Sequence, residues 1–330
     1  MREKIIDLLR KNMGQPVSGE EMSQKLSISR TAIWKHIQAL KQAGYDIQAV
    51  YKKGYTLYSS PDLLLPNEVL SKLTTKWLGR NILYQTSVDS TNSIAKQAAF
   101  DGCAHGTIVV AEEQVGGKGR LARGWFSPLG RGIWFSMVLR PPFLPQEAPK
   151  FTLLMAVALA QAFKKYPGVE IGIKWPNDVL LNERKLVGIL TEMNAEMEAI
   201  NYIVIGTGIN VNVPKEIAPK EIQDKLVSLA DFSDKPIDRV KLLTVILKEV
   251  EDLYDKVLQE GFSFVLQKWR EVSITLHSRV KVIAPDETFI GMAKDIDENG
   301  ALLVEKDDGT IQRVLAGDVS IRAANSDKYI

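Results

Sequence analysis

Gly116-Gly-Lys-Gly-Arg-Leu-Ala-Arg123 is the stretch whose reading decides the architecture. Residues 117–122 formally fit the Gly-x-Gly-x-x-Ala turn of a dinucleotide-binding sheet. Such a turn must open a helix and be followed about 20 residues later by an acid. Here Gly124, Pro128 and Gly130 break any helix, and the next acid is Glu147. A P-loop would need Gly-Lys-Ser/Thr at its end, and that is missing. The stretch is therefore read as a loop, not as the start of a doubly wound fold. Its glycines let backbone N–H groups approach an anion, and its arginines can fork onto phosphate. Residues 114–146 carry Lys118, Arg120, Arg123, Arg131 and Arg140 but no Asp or Glu. This predicts a phosphate clamp that closes over its ligand. A merely flexible basic loop is the plain alternative.

Working outward, strands are expected at 82–86, 106–112, 132–139, 171–175, 186–192 and 202–211. An apolar helix is expected over 152–165, with further helices over 237–258 and 262–270. Strands interleaved with helices in this order make an α+β, mixed-sheet domain. Three segments beside the strands carry unusual polar groups. Asp89-Ser-Thr-Asn92 can present hydroxyls to a small polar ligand. In Lys174-Trp-Pro-Asn-Asp178, Asp178 is a candidate Mg²⁺ ligand, which nucleotide chemistry usually needs. Gly206-Thr-Gly-Ile-Asn210 puts two glycines in a strand interior, a sign of close approach by a ligand or another backbone. Taken singly, each reads equally as a cap, a turn or a bulge. Residues 278–323 read as short strands, with turns at Pro285-Asp286, Glu298-Asn-Gly300 and Asp307-Asp-Gly309, which suggests a small β-barrel.

Charge separates the first 60 residues from the rest. They hold 10 Lys/Arg against 5 Asp/Glu, a balance of +5, while the other 270 hold 32 against 35, a balance of −3. A basic module on a near-neutral body points to a polyanionic partner. Ile5, Ile6, Leu8 and Leu9 mark a first helix, stopped by Gly14 and Pro16. Ser18-Gly-Glu-Glu21 reads as a capping box, with Met22 and Leu26 as the buried face of a short second helix. Ser29 can cap a third helix with Ile33, Ile37 and Leu40 on one face. Arg30, Thr31, Trp34 and Lys35 lie on the other. Two short helices with a tight turn make a helix-turn-helix. Alternation over Ile47 to Leu57 adds a hairpin whose tip, Lys52-Lys53-Gly54, forms a basic wing suited to phosphate. The DNA-binding candidates are therefore Arg30, Thr31, Trp34, Lys35, Lys52 and Lys53. Ser59-Ser-Pro61 and Pro66 mark a linker.

Composition excludes other classes. One cysteine, Cys103, permits no intrachain disulfide and fits a reducing, cytoplasmic setting. It reads as a packing residue. Three histidines and one cysteine make a structural zinc site improbable. The start of the chain does not read as a signal peptide. The richest apolar run, Leu153 to Phe163, is far short of the ~20 residues of a membrane span.

Together these segments resemble a known family. The set Asp89-Ser-Thr-Asn92, the Gly-rich loop at 117–123, Lys174-Trp-Pro-Asn-Asp178, Arg184-Lys-Leu-Val-Gly-Ile-Leu190 and Gly206-Thr-Gly-Ile-Asn210 is similar to that of bacterial biotin–protein ligases. The basic N-terminal module resembles that of the bifunctional members, which also repress the biotin operon. The resemblance implies a multi-domain α+β chain: a winged helix-turn-helix (1–62), a class II synthetase-like ligase domain (66–273) and an SH3-like β-barrel (274–330). It implies that biotin and MgATP give biotinyl-5′-AMP, which then acylates a lysine of a biotin carrier domain, as in acetyl-CoA carboxylase and other biotin-dependent carboxylases. It places biotin against Ser90, Thr91, Asn92, Gln114, Gly117, Lys118, Gly119, Arg120, Lys185 and Gly188. It places the nucleotide against Arg120, Arg123, Trp125, Lys174, Asn177 and Asn210, with Trp125 packed on adenine. Lys185, Arg120 and Asp178 fall on the family's catalytic positions, Asp178 on its Mg²⁺-associated acid. Further implications are a homodimer when adenylate-bound and binding of that dimer to operator DNA. Lys118 and Ala122 depart from the usual Arg and Gly. Lys keeps the charge but loses the fork, and Ala stiffens the loop. A biotin-sensing repressor without catalysis is the main alternative, but Lys185, Asp178 and Arg120 are all present. A lipoate ligase is a further one, and the first two motifs favour biotin over it.

Overall fold

The computed structural model describes residues 1–330 except 43, 167, 285–286, 317–319 and 324–330. The chain divides into two compact units, residues 1–63 and 64–330.

The first unit holds α1 (Arg2–Lys11), α2 (Gly19–Leu26), α3 (Arg30–Gln42) and an antiparallel hairpin of β1 (Asp46–Val50) and β2 (Gly54–Ser59). Its core is Ile5, Ile6, Leu9, Met22, Ile33, Ile37, Leu40, Ile47 and Leu57, all buried. Ser18 Oγ accepts from the Glu21 N–H at 3.0 Å. The reciprocal half of the expected capping box is not made. Glu21 instead pairs with Lys25, one turn on, at 2.7 Å, an i,i+4 pair on the exposed face of the helix. Ser29 Oγ accepts from the Ala32 N–H at 3.2 Å and caps α3. Gly54 has φ +111°, and a Cβ there would stand 2.0 Å from the Val17 carbonyl oxygen. Only glycine lets the hairpin close on the strand bridge Val17–Tyr55.

The second unit begins with α4 (Pro66–Lys72), then β3 (Ile82–Val88), α5 (Thr91–Phe100), β4 (Ile108–Gln114), β5 (Gly132–Leu139) and α6 (Ala148–Phe163). It continues with β6 (Ile171–Lys174), β7 (Asp178–Leu181), β8 (Arg184–Ala195), β9 (Ile200–Asn210), α7 (Lys220–Gln223), α8 (Arg239–Glu260) and α9 (Ser263–Val272). It ends with β10 (Arg279–Ile283), β11 (Thr288–Ile296), β12 (Leu302–Lys306), β13 (Ile311–Val314) and β14 (Ser320–Ala323). Strands β3 to β9 form one mixed sheet in the order β3-β4-β5-β9-β8-β7-β6, in which only β3–β4 is parallel. Strands β10 to β14 form a small antiparallel sheet in the order β13-β12-β11-β10-β14. The Pro285-Asp286 turn expected from sequence lies outside the described residues.

Alternation along the strands assigns each face of the large sheet. Ile108, Val110, Met137, Leu139, Ile203 and Ile205 face α6, α8 and α9 in the main core. Val109, Val138 and Val204 face Ala95 and Ala99 of α5 on the other side. Helix α6 is apolar nearly all round and correspondingly buried. Side chains such as Phe151 and Phe163 contribute roughly 1.5–3 kcal/mol each by burial. The small sheet shares this core through Val280, Val282, Ala293, Leu302 and Val304. Trp175 Nε1 donates to the Gly300 carbonyl at 3.1 Å, and the Trp175 N–H donates to Thr275 Oγ1 at 2.9 Å. Thr275, before β10, and Gly300, in the turn between β11 and β12, thus brace the turn that leads through Asn177 to Asp178 at the start of β7.

Two buried carboxylates tie distant segments together. Glu251 accepts from the backbone N–H groups of Lys76, Trp77 and Leu78 at 2.6, 2.8 and 2.9 Å. Glu112 pairs with Arg239 at 2.9 Å, both side chains fully buried, and also accepts from the Leu64 N–H at 2.7 Å.

Candidate functional site

On the α5 face of the large sheet the side chains become small over the middle strands. Register places Ser136, Gly206 and Leu190 in one cross-strand row, and Trp134, Gly208 and Gly188 in the next. Without side chains at 188, 206 and 208 the sheet has a hollow where it would otherwise carry a second apolar layer. A cavity of about 420 Å³ occupies it. The two strand glycines flagged in the sequence each hold a neighbour flat against the floor. A Cβ at Gly206 would stand 1.9 Å from Asn92 Oδ1, and one at Gly208 would stand 2.1 Å from Trp125 Nε1.

One end of the cavity is a neutral hydrogen-bonded wall. Ser90, Thr91 and Asn92 are buried at the start of α5. The Thr91 N–H donates to Gln114 Oε1 at 2.9 Å, and Gln114 Nε2 donates to Ser127 Oγ at 2.9 Å. Ser136 Oγ lies 2.8 Å from Thr91 Oγ1 and 2.6 Å from Asn92 Oδ1. Asn92 Nδ2 donates to the Leu190 carbonyl at 3.2 Å and to Glu192 Oε2 at 2.8 Å.

The other end is cationic. Lys118, Arg120, Arg123, Lys174, Lys185 and Lys225 line the cavity, against a single lining acid among the described residues, Asp178. Such an excess concentrates anions in a partly closed space. Lys185 Nζ lies 2.7 Å from Asp178 Oδ1 and 5.2 Å from the centre of the Trp125 ring. The Asp178 and Lys185 side chains come from the ends of adjacent antiparallel strands, β7 and β8. Asn210 Nδ2 donates to the Lys185 carbonyl at 3.3 Å.

The Gly-rich loop is a folded-back ribbon. The Gly119 N–H donates to the Arg123 carbonyl at 2.7 Å, and the Trp125 N–H to the Gly117 carbonyl at 2.8 Å. A Cβ at Gly117 would stand 2.4 Å from the Trp125 carbonyl oxygen, so glycine is required there by close approach. Leu121 takes the left-handed conformation at φ 55°. Arg120 donates to Asn177 Oδ1 at 3.1 Å and to the Ala316 carbonyl at 2.6 Å, which joins the loop to both the 175–178 turn and the segment just after β13. Lys118 reaches Asp89 at 3.7 Å and Ser93 Oγ at 3.4 Å.

Of the residues singled out from sequence, Ser90, Thr91, Asn92, Gln114, Lys118, Gly119, Arg120, Arg123, Trp125, Lys174, Asn177, Asp178, Lys185, Gly188 and Asn210 line this one cavity. Gly117 lies at the loop base and does not line it. Sequence reading missed Ser136, Glu192 and Lys225. Their partners are tens of residues away, so no local motif marks them. Cys103 packs beside Ala95 and Ala99, away from the cavity.

In the first unit, Arg30, Thr31, Trp34 and Lys35 are exposed along the N-terminal half of α3, and Lys52 and Lys53 are exposed at the hairpin turn. Trp34 is 52% exposed, unusual for a tryptophan without a partner surface. Arg30 is held by Glu20 of α2 at 2.7 Å, which orients it at the start of α3.

Comparison with known proteins finds matches in both units. Residues 84–210 match the biotin/lipoate A/B protein ligase family, residues 1–56 an HTH domain, and residues 275–322 the biotin protein ligase C-terminal domain. The chain is 37% identical, over 97% of its length and 98% of the relative's, to the bifunctional ligase/repressor BirA of Bacillus spizizenii. It is 32% identical over 97% of both chains to the bifunctional ligase/repressor BirA of Escherichia coli. A structure of biotin protein ligase from Aquifex aeolicus in complex with biotin and ATP superposes with a TM-score of 0.64 at 28% identity, over 74% of this chain and all of that one. The chain belongs to the biotin–protein ligase family, as one of its bifunctional members that join a ligase to a DNA-binding repressor module.

Proposed function

We propose that the cavity joins biotin to AMP and passes the biotinyl group to a lysine of a carrier domain. The observation that carries this reading is the division of one cavity into a neutral wall of Thr91, Asn92 and Gln114 and a cationic end around Lys185, Arg120 and Arg123. A uncharged ureido ring needs matched donors and acceptors. A carboxylate approaching a triphosphate needs cations to offset their repulsion.

In this account the carboxylate oxygen attacks the α-phosphorus, and pyrophosphate leaves. Lys185 bridges the two anions, and Arg120 and Arg123 hold phosphate oxygens, Arg120 after turning from Asn177 and Ala316. Trp125, Lys174, Asn177 and Asn210 receive the nucleotide. Magnesium arrives as part of the nucleotide substrate. Asp178 is the lining carboxylate that suits a cation already carrying phosphate oxygens, and the described residues hold no cluster of three His, Cys, Asp or Glu for a resident ion. The acceptor lysine has a reference pKa of ~10.4, so only a small neutral fraction attacks near pH 7. The mixed anhydride is reactive enough for that, and AMP leaves. The protein's task in this step is to hold the amine in place and exclude water, which suits a closing loop.

The first unit supports a second role on DNA. α3 would enter the major groove, with Lys52 and Lys53 on the backbone. We propose that bound biotinyl-AMP favours a homodimer that fits a two-part operator, in the reducing cytoplasm that the single thiol suits. No described helix is long and apolar enough to cross a membrane.

The test is transfer of label from biotin to a purified carrier domain with ATP present. Labelling of one lysine supports the reading. Tight biotin binding without transfer would leave a ligand-sensing repressor instead.

A further inference from the structure

We infer that Glu192 is a positioning residue for the biotin site: it fixes which way the Asn92 amide faces and so decides where the Ser136 proton goes. This rests on the reading of residues 90–92 as the biotin wall. Register puts Gly206 between Ser136 of β5 and Leu190 of β8. The Asn92 amide lies flat on Gly206, with Oδ1 toward Ser136 at 2.6 Å and Nδ2 toward Leu190 O and Glu192 Oε2 at 3.2 and 2.8 Å. An amide has a donor end and an acceptor end. On the β8 side both neighbours only accept. A flipped Asn92 would face oxygen against oxygen there, so Glu192 enforces one orientation. Lys96 of α5 holds the other carboxylate oxygen at 2.7 Å, which keeps Glu192 aimed inward.

The consequence passes along the wall. Ser136 has one hydroxyl proton and two oxygens near it, Asn92 Oδ1 at 2.6 Å and Thr91 Oγ1 at 2.8 Å. Asn92 Oδ1 can only accept, so it takes that proton. The Thr91 hydroxyl is then spared a donor and keeps lone pairs for a ligand N–H. If Asn92 flips, its Nδ2 faces Ser136 and the Ser136 proton turns to Thr91, whose own proton points to Gln114 Oε1 at 3.1 Å, so one of the two Thr91 lone pairs is withdrawn from a ligand donor. Glu192 therefore acts on the ligand through Asn92, without touching it.

The experiment is biotin-dependent pyrophosphate–ATP exchange in the full chain, with Glu192→Leu, Glu192→Gln, Asn92→Ala and the double variant Glu192→Leu/Asn92→Ala. Glutamine still offers an acceptor to Asn92 Nδ2, whereas leucine offers none. The expected result is a biotin KM raised about tenfold by Glu192→Leu with kcat and the KM for ATP nearly unchanged, and rescue by Glu192→Gln to within about threefold of the parent. In the Asn92→Ala background, Glu192→Leu should add nothing, because its effect runs through that amide. Leu and Gln behaving alike, or additive effects in the double variant, would overturn the inference. If Asn92→Ala itself leaves the biotin KM unchanged, the assignment of the biotin wall falls as well. Thermal unfolding of each variant separates these outcomes from loss of the fold.

Discussion

Trp125 lies across Gly208, its indole nitrogen so close that a methyl group at 208 would stand 2.1 Å away. The next glycine along β9 does the same for Asn92, with 1.9 Å left for a methyl at 206. The two contacts sit in neighbouring cross-strand rows of one cavity, Asn92 on the side of the neutral wall and Trp125 on the side of Lys185. Gly208→Ala should therefore raise the KM for ATP about tenfold or more while leaving that for biotin close to the parent value, and Gly206→Ala should do the reverse. Steady-state exchange kinetics with each substrate varied in turn is the check. Equal effects of both variants on both substrates would remove the division into a neutral and a cationic end.

Lys185 has Asp178 at 2.7 Å and no other lining acid among the described residues beside it. If it neutralises charge that builds up as carboxylate meets phosphate, Lys185→Met should lower kcat/KM of adenylate formation by about 10²–10³. Biotin binding alone, measured by calorimetry without nucleotide, should change much less.

The Glu112–Arg239 pair has no exposed atoms to share with water. Arg239→Met should cost about 3–5 kcal/mol of unfolding free energy, because it leaves a carboxylate buried without its counter-charge. Glu112→Leu on top of it should recover part of that loss, though the Leu64 N–H then loses its acceptor. Urea unfolding of the single and double variants measures both steps.

His105 provides a pH test of the fold. It lies against Trp77, ring centres 4.4 Å apart, and its Nδ1 accepts from the Arg140 N–H at 2.9 Å, which favours the neutral form of this half-buried ring. Burial, helped by the Arg140 charge, lowers its pKa from 6.5, with Asp255 opposing. A native pKa below the unfolded one means that the unfolded chain binds the extra proton first. The contribution is complete above about 6.5 and is lost as pH falls from there through the native value. Thermal unfolding from pH 7.5 down to 5 should show stability falling, with a shallower slope for His105→Gln, whose amide keeps an acceptor and does not titrate.

Lys52 and Lys53 are exposed at the hairpin turn, and in the proposed mode of DNA binding they meet the phosphate backbone. Replacing either by Ala should weaken operator and random DNA alike and reduce the salt slope of log K by about 1. Substitution of Thr31 or Trp34 on α3 should instead alter the preference for operator over random DNA. Binding titrations over a range of salt distinguish the two.

Much of this architecture was legible in the sequence where a pattern was local. β5 falls at 132–139 as expected, its run apolar but for Ser136, and rejecting a long helix after Gly119 left room for the mixed sheet. Helix α6 begins at Ala148, four residues before the expected start, because Pro149 is welcome in a first turn. The four-residue β7 escaped notice, since Asp178–Leu181 is buried throughout and shows no alternation. Helix α5 did too: its buried face is Ala95 and Ala99, too small to make an apolar stripe. The site followed the same rule. Asp89-Ser-Thr-Asn92 announces itself, whereas Ser136 and Glu192 become part of the wall only once sheet register sets them around Gly206.

The central claim is that one cavity activates biotin with ATP. The most direct measurement is exchange of labelled pyrophosphate into ATP by the purified chain, with no carrier present. Exchange that requires biotin, and that lipoate does not support, is the predicted result. Absence of exchange with biotin, under conditions where the protein is folded and ATP and magnesium are saturating, would contradict it.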